Sequence, residues 1–368
     1  MAMDFFDFYL HNTFNIFKMR RLPIYFLIDI SESMVGEPIQ QVEEGLATII
    51  QALKTDPNAI ETVWVSIIVF AGQAKTLVPL QELINFYPPK FPIGSGTSLS
   101  KGLGHLMFEL RKNIVKTTAE QKGDWKPIVF LFTDGVPTDE TKTAISEWKQ
   151  NWQRTANLVA ISFGNETDTH LLSELSETVL HFNNTDASAY KQFFKWVTDS
   201  IKTSSVSVEN NSTGFELAKI DGDTISKIDL TKNKPTSPLV DNNFVVLSAK
   251  CQNTKRPYLI KYKKRISSND FGGLELDTIS YRLVGAFQVD NSYFELSDSS
   301  NIVIKVNTEE LIGAPTCPCC GNQFAFAVCI CEKIHCIGDE EISTCPWCDN
   351  QGSYGSGEGG FDVNRTQG

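Results

Sequence analysis

Three oxygen-bearing side chains occur at alternate positions in one short segment of the chain, those of Asp29, Ser31 and Ser33. The segment directly follows the apolar run 23–28, which is typical of a buried strand. Hard divalent cations such as Mg²⁺ prefer oxygen ligands in near-octahedral geometry and usually keep some of their water. The residue types and their spacing are therefore those of a cation site on a single loop.

Two later residues occur in matching positions along the chain. Thr97 follows a Gly-Ser-Gly segment and precedes a predicted helix, and Asp134 ends the apolar strand 127–133. Ligands bind at the carboxyl ends of the strands in an open α/β sheet, and these positions fit that rule. The Asp-x-Ser-x-Ser string alone would be weak evidence, because Asp and Ser also cap helices and form turns. The ordered set of five residues predicts a metal site.

The elements that must position these residues follow an α/β pattern. Residues 21–205 alternate apolar strands with helical patterns, which predicts a doubly wound, mostly parallel sheet. The predicted strands cover 23–29, 62–71, 127–133, 157–163 and 178–182, and the predicted helices cover 37–54, 98–116, 139–152, 168–176 and 187–203. Thr138 and Asp139 are interpreted as the cap of the third of these helices.

The remainder of the chain divides into four parts. Residues 1–20 are an N-terminal extension, in which Met19 is a plausible natural start. Short strands separated by turn residues predict a small β-rich domain over 225–311, and 293–296 is one of these strands. Residues 313–350 form a Cys-rich module, and the Gly- and Ser-rich segment 351–368 is predicted to be a disordered tail.

A basic stretch lies inside the predicted β-rich domain. Residues 250–265 include seven basic residues and no acidic residue. Alternation places Lys261, Lys263 and Arg265 on one face of a strand, which is typical of a half-buried strand with a solvated basic face. The alternative interpretation is a docking edge for an acidic or phosphorylated partner.

Composition excludes several classes of function. The 368 residues are 41% hydrophobic and 21% charged, which is ordinary for two or three folded domains. A net charge of -11 is poorly suited to the phosphate backbone of nucleic acids. No apolar run reaches the roughly 18 residues that a membrane helix needs, and the N-terminus lacks the basic region of a signal peptide. We expect a cytoplasmic protein that binds neither nucleic acid nor membrane.

Eight of the nine cysteines are crowded into the Cys-rich module. Without a secretion signal, such crowding favours metal thiolates over disulfides. Two Cys-x-x-Cys units resemble zinc knuckles, and four thiolates close the tetrahedral shell of a structural zinc ion. We assign one Zn²⁺ to the four cysteines of the two knuckles, Cys317, Cys320, Cys345 and Cys348.

Four further side chains between the knuckles are metal-ligand candidates: Cys329, Cys331, His335 and Cys336. They could bind a second Zn²⁺ or replace one pair in the first site. Alternatively, Cys329 and Cys331 are alternate residues on the buried face of a hairpin strand. Spacing alone does not determine connectivity, so the sequence leaves these alternatives open. Cys251 is interpreted as a structural thiol.

The oxygen-ligand set resembles the metal-ion-dependent adhesion site of von Willebrand factor A (VWA) domains. By that resemblance, three hydroxyls bind the cation directly, those of Ser31, Ser33 and Thr97. The carboxylates of Asp29 and Asp134 act largely through water. Glu32 replaces the Gly often found inside this loop, which alters the local electrostatics without removing a ligand.

The segments 19–25 and 133–139 and the Cys-rich C-terminus together resemble TerY-type VWA proteins of bacterial tellurite-resistance and stress-response systems. This resemblance implies a non-enzymatic adaptor that links a Ser/Thr protein kinase and a metal-dependent Ser/Thr protein phosphatase. It also implies Mg²⁺ or Mn²⁺ at the adhesion site, one or two Zn²⁺ at the cysteines, and an acidic side chain of a partner that completes the cation's coordination.

Two other functions are weighed against the adaptor. A metal-dependent enzyme is less consistent with the sequence, because no recognisable base or nucleophile lies near either site. A regulatory VWA subunit of an ATPase complex, similar to those that work beside MoxR-type ATPases, is less consistent with the Cys-rich module. Kinase or ATPase motifs in a copurifying protein would discriminate between these functions.

Overall fold

The structure is a computed structural model that describes residues 20–119, 122–134, 136–163, 169–182, 187–209, 218, 225–227, 242–270, 275–298, 304–355 and 359–366. Apart from residue 20, the N-terminal extension therefore lies outside the described residues. None of the described helices is both long and apolar enough to cross a bilayer.

Runs of β-branched and aromatic residues form the sheet of the N-terminal domain, as their β propensity favours. Its described strands are β1 (Leu22–Asp29), β2 (Val63–Phe70), β3 (Ala74–Glu82), β4 (Ile128–Thr133), β5 (Asn157–Phe163), β6 (Thr178–Phe182) and β7 (Ile225–Lys227). Their order is β3-β2-β1-β4-β5-β6-β7. The five inner strands are parallel, and the edge strands β3 and β7 are antiparallel to their neighbours. The predicted doubly wound, mostly parallel sheet is confirmed.

Helices cover both faces of this sheet. They are α1 (Glu37–Leu53), α2 (Pro57–Thr62), α3 (Leu99–Asn113), α4 (Lys142–Asn151), α5 (Thr169–Leu175) and α6 (Ala187–Glu209). Apolar side chains of α1, α2 and α6 pack on one face, and those of α3, α4 and α5 pack on the other. The α1 and α6 helices approach closely at Gly45, where an added Cβ would lie 2.0 Å from the ring of Phe194.

A second sheet forms the C-terminal domain. The elements of this domain are β8 (Phe244–Lys250), β9 (Pro257–Asp270), β10 (Glu275–Gln288), α7 (Ser292–Leu296), β11 (Ile304–Asn307), β12 (Leu311–Ile312), β13 (Phe324–Val328), β14 (Ile334–Ile337), β15 (Ser343–Thr344), β16 (Gln351–Gly352) and β17 (Asp362–Arg365). Six strands pair in the order β12-β10-β9-β8-β14-β13, and two small ribbons join β11 to β17 and β15 to β16.

The C-terminal elements differ from the sequence-based expectations in four respects. Because β14 pairs with β8, the β-rich segment and the Cys-rich module share one sheet. The β7 strand, expected in the β-rich domain, pairs with β6 of the first sheet. The prediction of a disordered tail over 351–368 is wrong for its described residues, since β17 pairs with β11 and buries Val363. Residues 293–296 form helix α7 instead of a strand, because the Asp290 side chain accepts a hydrogen bond from Ser292 N and starts a helical turn.

The second sheet is covered on both faces. Leu259 and Val246 on one face belong to the apolar core of the N-terminal domain, whereas Tyr258 and Ile260 on the other face pack toward the cysteines. Lys261, which alternation assigns to a solvated face, is buried with 3% of its surface exposed. The alternation is real, but the N-terminal domain covers the face on which this lysine lies.

We expect a chain truncated after Gly360 to be less stable than the full chain by roughly 3 kcal/mol, because it loses one buried valine and several hydrogen bonds. The side chain of Arg365, the last residue of β17, donates to Phe244 O, and Thr366 Oγ1 donates to Val246 O. Denaturant unfolding followed by tryptophan fluorescence would measure the change. Truncation after Thr366 is the matched control, and equal stability of the two truncated chains would contradict the role of β17.

Candidate metal centres

The register of β1 with β4 brings the first site together. Ile28 pairs with Phe132, so the next residues, Asp29 and Thr133, end their strands side by side. Thr133 Oγ1 donates to Asp29 Oδ2 at 2.7 Å, and Ser31 N donates to Asp29 Oδ1 at 2.9 Å. Asp29 has no exposed surface. Its carboxylate is therefore oriented by the sheet on one side and by its own loop on the other.

The two serines of this loop lie next to each other and to Asp134. Ser31 Oγ and Ser33 Oγ are 2.9 Å apart, and Ser33 Oγ donates to Asp134 Oδ1 at 2.7 Å. A short 3-10 turn at Glu32–Met34 follows Ser31 and presents both hydroxyls on the same side. The structure thus assembles four of the five predicted oxygen ligands in one hydrogen-bonded group.

The fifth predicted ligand, Thr97, is held by the segment that follows β4. Thr97 N donates to Thr138 Oγ1 at 3.0 Å, and Thr138 N donates to Thr97 O at 2.9 Å. Asp139 Oδ2 accepts hydrogen bonds from Ser98 Oγ and Ser100 N, at the start of α3. The interpretation of Thr138 and Asp139 as the cap of their own helix is wrong, because α4 begins later, at Lys142, and both side chains instead bind the loop of Thr97.

The donor set fits a hard divalent cation. Its members are hydroxyl and carboxylate oxygens only, which suits Mg²⁺ or Mn²⁺ better than softer ions. Asp29, Ser31, Ser33 and Thr97 are all buried, so their polar atoms need partners other than bulk water.

The cysteines form two groups of four. The first contains Cys251, Cys317, Cys320 and Cys336, and the second contains Cys329, Cys331, Cys345 and Cys348. Within each group the four Sγ atoms lie within 4.8 Å of one another. Four of the Sγ–Sγ distances within the groups are 3.6–3.9 Å. Sulfur atoms bound tetrahedrally at Zn–S distances of about 2.3 Å would be roughly 3.8 Å apart, so both groups have the dimensions of a zinc site.

The predicted single site with both knuckles is wrong, because each knuckle has its own partners. The pairing of β14 with β8 brings Cys336 beside Cys251, and these two complete the first group. Cys329 and Cys331 lie on a tight turn and join Cys345 and Cys348 in the second group, as in the alternative in which they replace one pair of the first site. The ligands of this group differ from the second site expected between the knuckles, because Cys336 belongs to the first group and His335 to neither. Cys251 was missed because it lies far upstream of the knuckles and no local spacing marks it as a ligand.

One predicted candidate, His335, and the nearby Cys319 lie outside both groups. His335 contacts the hydroxyl of Tyr354 through Nε2 at 2.8 Å and Cys336 O through Nδ1 at 2.9 Å, so its ring nitrogens are engaged elsewhere. Cys319 lies within the first knuckle sequence but is not a member of either group.

Thiol acidity differs between the cysteines. Burial raises the pKa of Cys336 to about 11 and that of Cys345 to about 12. Burial also acts to raise the pKa of Cys251, but hydrogen bonds from Thr254 and Cys320 outweigh it and lower that pKa to about 7. Cation binding therefore displaces protons from at least the first two thiols, which couples metal binding to proton release.

Comparisons with known families agree with this division of the chain. Residues 24–196 match the von Willebrand factor type A domain, and residues 241–368 match the TerY-C metal binding domain. This pair of domains matches a TerY-type VWA protein with a C-terminal metal-binding module. Its TerY-C domain includes the second sheet and both groups of cysteines. The family match and the donor geometry together support metal binding at the VWA site and at the two four-cysteine groups.

Solved structures similar to this chain are distant in sequence. Proximal thread matrix protein 1 from the mussel byssus is 19% identical, with 50% of this chain and 48% of that chain covered and a TM-score of 0.37. The ArnB paralog VWA2 from Sulfolobus acidocaldarius is 11% identical, with 74% and 67% covered and a TM-score of 0.38. The chain thus spans about half the length of the mussel protein. A search of curated proteins found no match.

We expect the zinc-loaded protein to contain two zinc ions per chain, one in each group of cysteines. Cys251→Ser should reduce the count to one under a mild chelator challenge, because the first group would keep only three thiolates. Cys319→Ser is the matched control and should retain two ions. Plasma mass spectrometry would give the counts, and full retention of zinc by Cys251→Ser would contradict the assignment.

Proposed function

We propose that this TerY-type protein is a non-enzymatic, cation-dependent scaffold that binds partner proteins through its VWA metal site. The observation that carries the proposal is the arrangement of the oxygen ligands. Neutral hydroxyls of Ser31 and Ser33 lie together, while the carboxylate of Asp29 is engaged by Ser31 N and Thr133 Oγ1. A cation bound mainly by neutral oxygens stays electrophilic and can accept an acidic side chain of a partner as its last ligand.

The identities of the ions are part of the proposal. Oxygen-only donors favour Mg²⁺ or Mn²⁺ at the VWA site, and thiolates favour Zn²⁺ at the two groups of cysteines. Four thiolates fill a tetrahedral shell and leave no open position for a substrate, so we assign a structural role to both zinc ions. Each ion then ties together chain segments of the TerY-C domain that are distant in sequence.

The family supports a further proposal about the partners. TerY-type membership favours a Ser/Thr protein kinase and a metal-dependent protein phosphatase of a bacterial tellurite-resistance and stress-response system. We propose a cytoplasmic location, because the nine cysteines form no disulfide and zinc thiolates persist in a reducing compartment.

We expect tagged protein in native lysate to retain the kinase and the phosphatase with Mg²⁺ and to release them when Mg²⁺ is removed by dialysis. Dialysis is preferable to a strong chelator, which would also remove zinc. Ser33→Ala should weaken retention by roughly tenfold or more, because it removes a ligand of the cation. The exposed Ser146→Ala is the matched control.

Two results would contradict parts of this proposal. Retention that depends neither on Mg²⁺ nor on Ser33 would place the interface outside the VWA metal site. A captured protein with ATPase motifs, in place of a kinase and a phosphatase, would favour the regulatory subunit of an ATPase complex. Mass spectrometry of the retained proteins separates these results.

A further inference from the structure

The TerY-C domain lies directly against the loops that carry the VWA metal ligands. Helix α7 and the residues after it run along the ends of these loops. Gln73 N donates to Leu296 O at 2.8 Å, and Ser95 N donates to Ser297 Oγ at 3.0 Å. Asp298 N returns a hydrogen bond to Ser95 O at 3.0 Å. Main-chain hydrogen bonds therefore join the two domains beside the metal site.

Two glycines allow this close approach. A Cβ at Gly72 would lie 1.9 Å from Asp298 N, and a Cβ at Gly94 would lie 2.9 Å from Leu296 Cβ. Real side chains do not approach each other or a backbone this closely, so other residues at these positions would push α7 away. The loop composition is thus matched to a docked TerY-C domain.

Glu32 connects the metal loop to this domain. It lies between the two serines of the loop and has no exposed surface. Tyr293 OH donates to Glu32 Oε1, and Ser95 Oγ donates to Glu32 Oε2 at 3.1 Å. A buried carboxylate needs such donors, because desolvation without them costs several kcal/mol. The same side chain thereby ties the serine loop to the loop of Thr97 and to α7.

Lys261 holds the other end of the serine loop. Its Nζ donates to Ser33 O and, at 3.2 Å, to Val35 O, and it lies 4.5 Å from the ring centre of Phe244. The last carbonyl groups of a helical turn have no partner within the turn. An ammonium group from β9 of the TerY-C domain therefore completes the 3-10 turn that presents Ser33.

These contacts reach every ligand loop of the site. Lys261 and Tyr293 bind the serine loop, and Ser95 lies two residues before Thr97. They reach the third loop, that of Asp134, indirectly, because Ser33 Oγ donates to Asp134. Mg²⁺ requires near-ideal octahedral geometry at about 2.1 Å, so the affinity of the site depends on how firmly these loops are held.

We propose that Lys261 and Tyr293 of the TerY-C domain are positioning residues for the VWA metal site, so that the site binds its cation tightly only while the two domains are docked. The inference rests on the cation site of the proposed function and is independent of the partner proteins. A loss of domain docking would loosen the serine loop and lower cation affinity without any change in a ligand.

We expect Lys261→Met and Tyr293→Phe each to weaken Mn²⁺ binding by roughly 10- to 100-fold, the usual effect of removing a group that orients a metal ligand. The measurement is a Mn²⁺ titration followed by electron paramagnetic resonance, on the zinc-loaded full chain without partners. Hydrogen exchange should also become faster for the amides of 31–35 in the metal-free variants, while the exchange of β8 stays slow.

Two matched variants serve as controls. Lys263→Met removes an exposed lysine two residues further along β9, and Tyr262→Phe removes a buried hydroxyl that donates to Gly313 O. Both should bind Mn²⁺ like the unchanged protein. The zinc content of each variant verifies its fold. If Lys261→Met loses zinc, the proposal is tested by Tyr293→Phe alone, because this variant keeps the aromatic ring. Unchanged Mn²⁺ affinity in correctly folded Tyr293→Phe and Lys261→Met would overturn the proposal.

Because partners are absent, this result is separate from the capture experiment. If the unchanged protein binds Mn²⁺ but captures no protein, the scaffold is contradicted. If Lys261→Met and Tyr293→Phe bind Mn²⁺ more weakly and the unchanged protein captures its partners only with Mg²⁺, both proposals are supported.

Discussion

Asp29 and Thr133 are the last residues of two neighbouring parallel strands, and a hydrogen bond of 2.7 Å joins their side chains. The other positions in the VWA metal site depend on this pair. The serine loop folds back on Asp29 through Ser31 N, and Asp134, the residue after Thr133, accepts from Ser33 Oγ. A shift of one residue between β1 and β4 would turn these side chains to opposite faces of the sheet.

The TerY-C sheet lies between the oxygen ligands of the VWA site and the two groups of cysteines. One face packs on the N-terminal core beside the oxygen ligands, and the other packs on the cysteines. Leu259 and Ile260 are consecutive and both buried, as expected for a strand covered on both sides. Solvent-exposed side chains on β9 occur only further along the strand, at Lys263 and Arg265.

The oxygen site could be predicted from sequence because its ligands follow recognisable strands, and the carboxyl ends of parallel strands meet at one edge. The grouping of the cysteines could not, because it depends on the pairing of β14 with β8, which no spacing encodes. The burial of Lys261 could not be predicted from the sequence for a related reason. Period-two patterning shows which residues share a face, but it does not show that another domain covers that face. The β3 strand was missed because Pro79 interrupts its pattern, which an antiparallel edge strand tolerates.

The contact between Glu32 and Tyr293 also constrains the order in which such a protein could evolve. A glutamate acquired first would leave a buried charge with one donor fewer, at a cost of several kcal/mol. A tyrosine acquired first would leave only a buried hydroxyl without an acceptor, which costs roughly 1–3 kcal/mol. With the two domains docked, Tyr293 is therefore the residue that makes a buried Glu32 tolerable in the metal loop.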